Sequence, residues 1–407
     1  MPKAQIILTR CSRRSLEIEQ LRHYLEENGY NLSKDNWRVD PQADVILLST
    51  CGFTQAAEDF GFATLLRVRG TVKPSAQVIF GGCNPEIDPG RMQLEFSGPT
   101  FSPQSYACLD DILQVDRGFD TFERPNILDG AGGSALIQDA RRAIELLTTF
   151  DGSFSGLAYI SNRLGNGLRR RLIRSQDANL IGRDTYYIQI QEGCTMRCSY
   201  CAIRLAIGPL QSRPVEAIMA EFQAGLEQGF RHFQLMGDNA GSYGLDLSIN
   251  LGDLLERVLE IESDYSLDLT EINPVYLPLI ADQVMHLLAE GKLRRLYIAV
   301  QSGSRRVLKS MNRDCDLDSV QRTLVAIRQA APPDFKLGTS LIVGFPSETL
   351  DELEATVQFC QQVGFDWVWC HSYSPRPGTP AADLPDQLRL DQLPPEEVHH
   401  RARWVKA

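Results

Sequence analysis

The strongest constraint on the fold is the regular alternation of β-prone and helical segments over residues 186–372. Parallel strands need a crossover of a dozen or more residues, usually a helix, so this rhythm predicts a parallel sheet. Six such units in series predict an incomplete (β/α)6 barrel with its site at the carboxyl ends of the strands. The predicted strands are 186–190, 232–236, 266–270, 295–300, 336–343 and 366–372, and the predicted helices include 215–228, 277–290, 317–330 and 350–363.

Residues 1–90 show the same rhythm on a smaller scale, which predicts an α/β domain of flavodoxin or Rossmann type with a parallel sheet. Its predicted strands are 5–9, 44–49 and 77–80, and its predicted helices are 15–28 and 55–69. A chain of 407 residues is too long for one ordinary compact domain. We therefore expect an N-terminal domain over 1–130, a linker or irregular segment over 131–180, the barrel over 181–385 and a helical tail over 386–407.

Composition limits the cellular location and the classes of partner that are expected for this chain. No apolar run approaches the roughly 20 residues that span a bilayer, and the N-terminus enters a strand without the layout of a signal peptide. We therefore expect a cytoplasmic location and no membrane partner. Ten cysteines then indicate metal ligands or redox groups, because disulfide frameworks are rare in the cytosol. The net charge of −11 argues against a large, sequence-independent grip on nucleic acid.

Three cysteines, Cys194, Cys198 and Cys201, follow the first predicted barrel strand with the spacing C-x3-C-x2-C. Such a loop can wrap three thiolates around one face of a 4Fe–4S cluster, which normally takes four cysteines, so one iron stays open for another molecule. A zinc site is the alternative. Zinc favours four closed ligands, often as two C-x2-C pairs, whereas this loop has one pair and no nearby fourth Cys or His.

A second set of cysteines lies in the N-terminal domain. Cys11, Cys51 and Cys83 each come just after a predicted strand. Equivalent ends of parallel strands lie along one edge of a sheet, so three thiols far apart in sequence are expected to converge. Three unrelated buried cysteines are the alternative, since a free Cys is often part of a core. All three cysteines occupy the same position relative to the end of a strand, which favours a second cluster with its own open iron.

The Cys194–Cys201 loop resembles that of the radical S-adenosylmethionine (radical SAM) enzymes. In that superfamily the open iron binds S-adenosylmethionine, whose cleavage gives a 5′-deoxyadenosyl radical. The resemblance implies that Asp238 accepts from the cofactor's amino group while Gly237 lets the backbone approach it. It further implies cofactor-binding roles for residues that follow the fourth and fifth barrel strands or end them: Gln301, Ser302, Ile342 and Gly344. Taken alone, each of these segments is also typical of an ordinary turn.

Two sets of three cysteines, one on an α/β domain and one on a barrel, resemble the methylthiotransferases. These radical SAM enzymes insert a methylthio group into a C–H bond of a tRNA adenosine or a ribosomal-protein aspartate. The resemblance implies two 4Fe–4S clusters, S-adenosylmethionine, a low-potential electron donor of flavodoxin or ferredoxin type and a possible sulfur donor. It also implies that the first domain caps the mouth of the barrel. Further matching segments are Ser49-Thr50-Cys51, Gly82-Cys83, Ser212-Arg213, Ser242-Tyr243-Gly244, Gln301-Ser302-Gly303-Ser304, Met311-Asn312-Arg313 and the run from Tyr373 to Thr379.

The sequence departs from this family at three places. Residues 10–14, Arg-Cys-Ser-Arg-Arg, stand where the family has Gly-Cys-x-x-Asn, and residues 204–208 lack the arginine of its Pro-x-x-Arg-Gly. We also expect no C-terminal TRAM domain, the β-barrel module that helps grip the substrate. These departures and the acidic balance favour a peptide, protein or small natural-product precursor as substrate, with nucleic acid less favoured.

Alternatives to this expectation stay open. One is a tRNA or ribosomal-protein methylthiotransferase with a shortened C-terminus. Others are a radical SAM enzyme that inserts sulfur without methylation or only abstracts hydrogen, and a cluster-bearing scaffold or redox sensor. No catalytic residue beyond the cluster and cofactor ligands is predicted.

Overall fold

The computed structural model describes residues 1–9, 14–33, 38–128 and 184–384. Its N-terminal part is a five-stranded parallel sheet with the strand order β2-β1-β3-β4-β5. This is a doubly wound order in which the direction of winding reverses between β1 and β3. The predicted flavodoxin-like domain is thereby confirmed. The strands are β1 (Lys3–Leu8), β2 (Asn31–Leu32), β3 (Val45–Thr50), β4 (Gln77–Gly82) and β5 (Thr100–Phe101).

Helices cover both faces of this sheet, because successive residues of β3 point to opposite sides. Val45 and Leu47 belong to one buried cluster with α1 (Ser15–Glu27), and Ile46 and Leu48 belong to another with α2 (Gln55–Arg69). A strand that is buried on both faces has a continuous apolar sequence, and β3 has such a sequence. Three shorter helices follow: α3 (Asn84–Ile87), α4 (Pro89–Glu95) and α5 (Cys108–Leu113).

The second part is a six-stranded parallel sheet in the order β13-β12-β11-β10-β9-β6, so its strands are arranged in the order in which they follow each other along the chain. This arrangement confirms the predicted parallel β/α architecture. Its strands are β6 (Thr185–Gln189), β9 (His232–Met236), β10 (Ser266–Ile272), β11 (Leu293–Gln301), β12 (Lys336–Val343) and β13 (Trp367–Ser372). A small antiparallel pair, β7 (Gln191–Glu192) and β8 (Gln211–Ser212), lies beside it.

The helices of this part are α6 (Ile203–Ile207), α7 (Val215–Glu227), α8 (Leu251–Leu259), α9 (Leu277–Ala289), α10 (Arg305–Ser310), α11 (Leu317–Ala330) and α12 (Leu350–Val363). Strands β10 and β11 run beyond the predicted 266–270 and 295–300, because they carry polar residues that the apolar pattern did not capture. Asp268 is 1% exposed and forms an ion pair with Arg294 across these two strands, at 2.6 Å.

The predicted domain boundaries at 130, 180 and 385 fall within or beside stretches outside the described residues, so they stay predictions. The predicted linker and helical tail lie outside the described residues as well. Within the ranges that the structure describes, no helix has the length and apolar character needed to cross a membrane.

A buried ion pair joins the two sheets. Arg376, after β13, is 1% exposed and pairs with Glu58 of α2, which is fully buried. Arg376 also donates to the side chain of Gln55 at 2.7 Å, and Arg91 bonds the other carboxylate oxygen of Glu58 at 2.8 Å. The N-terminal layer is thereby tied to the segment that follows the last barrel strand.

We predict that Glu58→Gln lowers the free energy of unfolding by about 3 to 5 kcal/mol, because it leaves the Arg376 guanidinium buried without its counter-charge. Adding Arg376→Met to that variant is expected to recover part of the loss. Equilibrium urea denaturation measures both effects. The control is Asp59→Asn, which removes a 55% exposed partner of Arg91 and should cost less than about 1 kcal/mol. Equal losses in Glu58→Gln and Asp59→Asn would contradict the prediction.

Candidate functional site

The loop that carries Cys194, Cys198 and Cys201 begins at a position that only glycine fits. Gly193 has a φ of +72°, and a Cβ there would lie 1.9 Å from the carbonyl oxygen of Pro209. The far side of the loop is held by the segment after α10. The Ser199 amide donates to the Met311 carbonyl at 2.9 Å, and Asn312 donates to the Arg197 carbonyl at 2.8 Å. The loop is therefore fixed at both ends.

Nitrogen donors surround the sulfur atoms of this loop. Cys194 Sγ accepts from the Met196 amide at 3.4 Å and from the Asn239 amide group at 3.5 Å. Cys198 Sγ accepts from the buried guanidinium of Arg313 at 3.5 Å. Such donors are the outer groups that tune the potential of an iron–sulfur cluster. Three thiols with this surrounding fit one face of a 4Fe–4S cluster.

Burial changes the pKa values of the side chains in and beside this loop. It raises the pKa of Cys201 to about 11 and also raises the pKa of Cys194. Burial opposes the charge of Arg313, but Tyr200 and Cys198 hold the pKa of its guanidinium above the usual value. A permanent cation therefore lies beside the thiols, and a bound metal removes the thiol protons outright. Among the described residues, no three His, Cys, Asp or Glu side chains are placed to hold one metal ion, and ligation stays a prediction.

Asp238, which the sequence predicts to bind the cofactor's amino group, lies next to the cysteine loop. Its Oδ2 accepts from the Gly193 amide at 2.9 Å. Its Oδ1 forms an ion pair of 2.6 Å with Arg14, the residue before α1. A carboxylate only accepts hydrogen bonds, which is what an ammonium group requires of its partner. Gly237, the neighbouring predicted residue, and Asp238 both line a cleft between the N-terminal layer and the barrel.

Arg14 is a site residue that the sequence showed only as a departure from the family pattern. It is 8% exposed, and its second partner is Glu17, 1% exposed, at 2.6 Å. Burial works against the charge, but Asp238 and Glu17 raise the pKa of the guanidinium well above its usual value. Arg14 therefore brings a fixed cation from the N-terminal layer to the predicted cofactor loop.

The remaining predicted cofactor residues lie at the ends of the adjacent strands β11 and β12. Gln301 has a φ of +71°, a strained conformation for a residue other than glycine, and its buried Oε1 has no hydrogen-bond partner. Such strain is typical of functional sites. Ser302 is fully buried, Ile342 is 7% exposed, and the Gly344 amide donates to Glu348 at 2.6 Å. The unpaired acceptor of Gln301 fits a ligand that carries hydroxyl or ammonium donors.

The structure brings together two of the three predicted N-terminal cysteines. Cys51 follows β3 and Cys83 follows β4, and the preceding residues, Thr50 and Gly82, are paired in register. The Cys83 amide donates to the Thr50 carbonyl at 3.0 Å. Cys11 lies outside the described residues. None of the nine cysteines in the described ranges forms a disulfide.

The two cysteine sets meet at the contact between the layers. Cys83 belongs to a small buried cluster with Ile87, Ala202 and Ala206, and Ala202 directly follows Cys201. Gln104 of the N-terminal layer donates to the Leu205 carbonyl in the same region, at 2.9 Å. The N-terminal layer therefore packs against the end of the barrel cysteine loop.

The cleft lies between the layers, lined by residues of both. Arg14, Gly237 and Asp238 line it, as do residues inside the barrel that the sequence analysis missed: Tyr187, Gln234, Tyr297 and Trp369. These four residues lie in strands whose sequence pattern is that of ordinary core strands. Their inward direction depends on barrel closure, which the local sequence does not show.

Comparison with known proteins decides the family. A model described as "Radical SAM superfamily" matches residues 188–360, and one described as "Uncharacterized protein family UPF0004" matches residues 3–99. The tRNA-2-methylthio-N(6)-dimethylallyladenosine synthase of Magnetococcus marinus is 30% identical over 390 residues, which are 93% of this chain and 78% of that protein. The chain belongs to the radical SAM methylthiotransferase family. It is a transferase, as predicted.

Other methylthiotransferases show similar agreement. The tRNA-2-methylthio-N(6)-dimethylallyladenosine synthase of Cereibacter sphaeroides is 30% identical over 403 residues, which are 98% of this chain and 80% of that protein. The threonylcarbamoyladenosine tRNA methylthiotransferase MtaB of Thermotoga maritima is 27% identical over 390 residues, which are 94% and 78% of the two chains. The predicted cofactors, S-adenosylmethionine and two 4Fe–4S clusters, are those of this methylthiotransferase family; the residues that bind them stay predictions.

A solved structure shows the same fold. The radical S-adenosylmethionine methyltransferase TsrM from Kitasatospora setae aligns with a TM-score of 0.56 over 94% of this chain and 75% of its own, at 12% identity. At this identity the likeness concerns the fold alone.

We predict that the reconstituted methylthiotransferase holds about 8 irons and that each triple variant holds about 4, as two separate 4Fe–4S clusters require. The variants are Cys11/Cys51/Cys83→Ala and Cys194/Cys198/Cys201→Ala, and the measurement is iron and sulfide content after anaerobic reconstitution. Cys108→Ala is the control and should keep all the iron. A variant lacking the N-terminal cysteines that loses no iron would show that this domain holds no cluster.

We also predict that Asp238→Asn weakens S-adenosylmethionine binding roughly 10- to 100-fold, because a charge-assisted hydrogen bond to the ammonium group is lost. Isothermal titration calorimetry of the cluster-loaded protein measures the affinity. Asp246→Asn is the matched control, since that carboxylate is exposed and bonds the Ser212 amide at 2.8 Å. Equal affinities for the two variants would remove Asp238 from the cofactor site.

Proposed function

We propose that this enzyme inserts a methylthio group into a C–H bond of an N6-modified adenosine in tRNA. The observation that carries the proposal is the packing of Cys83 against Ala202, next to Cys201, beside a cleft that reaches both layers. Transfer of sulfur from one cluster to a radical generated at another needs both sites at one cavity. The predicted role of the first domain as a cap over the barrel mouth agrees with this packing.

The relatives support tRNA as the substrate. The expectation of a peptide or natural-product precursor finds no support among them, since the relatives described above are named for tRNA adenosines. The net charge of −11 is a property of the whole chain, whereas a single base in a cleft is recognised by the groups that line it. A low-potential electron donor of flavodoxin or ferredoxin type and a sulfur donor complete the proposed set of partners.

The cofactors, when bound, supply a 5′-deoxyadenosyl radical at the barrel and a methylated sulfur at the N-terminal domain. The chain's own residues supply position and charge. Asp238 orients the amino end of the cofactor and is itself fixed by Gly193 and Arg14. Arg313 donates to Cys198 Sγ at 3.5 Å and places a permanent positive charge beside the loop. Both layers contribute walls to the cleft. A site that excludes water protects a radical from side reactions.

The test uses two anticodon stem-loop RNAs, one with N6-dimethylallyladenosine and one with N6-threonylcarbamoyladenosine, and an unmodified adenosine RNA as control. We expect one modified RNA to gain the mass of a methylthio group under a strong reductant, measured on digested nucleosides. Gain of a thiol without its methyl group would instead indicate sulfur insertion alone. The absence of any gain in RNA, together with 5′-deoxyadenosine formation, would reject the tRNA substrate.

Two cysteine variants separate the roles of the layers in this assay. Cys198→Ala should lose both 5′-deoxyadenosine and the methylthio product, because the radical is generated at the barrel. Cys51→Ala should keep 5′-deoxyadenosine and lose the methylthio product, because the sulfur is supplied by the N-terminal domain. Retained methylthio product in Cys51→Ala would contradict this division.

A further inference from the structure

Inside the barrel, one amide of the cleft has an unpaired acceptor. Gln234 of β9 is 6% exposed, and its Nε2 donates to the Thr270 hydroxyl at 3.2 Å. Its Oε1 has no hydrogen-bond partner. A buried acceptor without a partner is costly, and native proteins rarely keep one unless a ligand or water pairs with it. Gln234 lines the cleft, so a ligand there can supply the missing donor.

Aromatic rings line the same part of the cleft. Trp369 of β13 and Tyr297 of β11 lie with their ring centres 5.0 Å apart, and Tyr187 of β6 is paired in register with Gln234. Trp367, two residues earlier on β13, has a different role. It packs so closely on Gly338 that a Cβ there would lie 2.0 Å from its ring. Trp369 is therefore the β13 tryptophan that faces the cleft.

These groups lie deeper in the barrel than the predicted cofactor loop. Gln234 precedes Gly237 by three residues along the same chain segment, which corresponds to about 10 Å at the rise of a β-strand. Gly237 and Asp238 line the same cleft. The part of the cleft next to the expected cofactor position therefore has aromatic walls and one unpaired acceptor, and we call this part the chamber.

We propose that this chamber binds the target base of the substrate, with the base stacked on Trp369 and an exocyclic N–H donated to Gln234 Oε1. The ring of Tyr297, tilted 54° from that of Trp369, then borders the base. The proposal rests on the proposed function and names the subsite that reads the base. Aromatic rings accept the face of any base, whereas glutamine amides read the edge of adenine. Because Nε2 of Gln234 is held by Thr270, the free acceptor selects a base with an N–H donor at its edge.

The experiment combines protein variants with base analogues, so that only a direct contact gives a joint effect. The probes are fluorescent anticodon stem-loops that carry, at the target position, either the N6-modified adenosine that gains the methylthio group in the assay above (the adenosine RNA) or purine riboside, which lacks the exocyclic N–H. Fluorescence anisotropy of the cluster- and cofactor-loaded protein measures the dissociation constants. The variants are Gln234→Leu, Gln234→Glu, which keeps an acceptor, and Gln223→Leu, an exposed control that loses only a bond to Glu227.

We expect Gln234→Leu to weaken binding of the adenosine RNA about five- to tenfold and to leave the purine riboside RNA unchanged. Gln234→Glu and Gln223→Leu should bind both RNAs like the wild type. Trp369→Leu should weaken both RNAs at least about fivefold, and Trp369→Phe should restore most of the affinity, because stacking does not depend on the edge of the base.

Three results would overturn the proposal. Equal losses for both RNAs in Gln234→Leu would give that residue a purely structural role. A loss of S-adenosylmethionine affinity with unchanged RNA affinity would assign the chamber to the cofactor. No change in any variant would place the base elsewhere. Methylthio formation by the wild type is measured separately, so rejection of this subsite and rejection of the proposed function are distinguishable.

Discussion

The geometry of the site depends on the buried ion pair between Arg376 and Glu58. Removing two charges from water is costly, and the attraction between them offsets this cost only when the geometry is good and other donors satisfy the remaining oxygen atoms. Here Gln55 and Arg91 provide those contacts. An apolar contact would tolerate sliding of the two layers, whereas this pair fixes one relative position. The cleft, which has walls from both layers, therefore has a defined shape.

A second buried charge cluster transmits that position to the cofactor loop. Arg14 holds Asp238, and Asp238 holds the amide of Gly193, one residue before Cys194. Each contact is 2.6 to 2.9 Å long, so the N-terminal layer is linked to the barrel cysteine loop through two hydrogen-bonded steps. This link places a charged group of one layer, Arg14, directly on the predicted cofactor loop of the other.

The sequence predicted most of the fold, because the features that determine it are local. The apolar run of β3, buried on both faces, and the helix with Thr54 as its N-cap are visible in short windows. The cysteines could be placed because they follow the ends of predicted strands. The roles of Arg14 and Gln234 in the site could not be predicted in this way. The partner of Arg14 lies 224 residues away, and Gln234 stands in a strand that reads as core. Their roles come from the contact between layers and from barrel closure, which local patterns do not contain.

The sequential strand order of the barrel has a consequence for biosynthesis. Each strand from β10 to β13 pairs with the strand made just before it, and β9 pairs with β6, so every new strand emerges from the ribosome when its partner is already present. Contacts between sequence neighbours close short loops and form quickly. The contact between Arg376 and Glu58 is different, because it joins residues 318 positions apart. The nascent chain can therefore complete each sheet separately, and the catalytic cleft is assembled last.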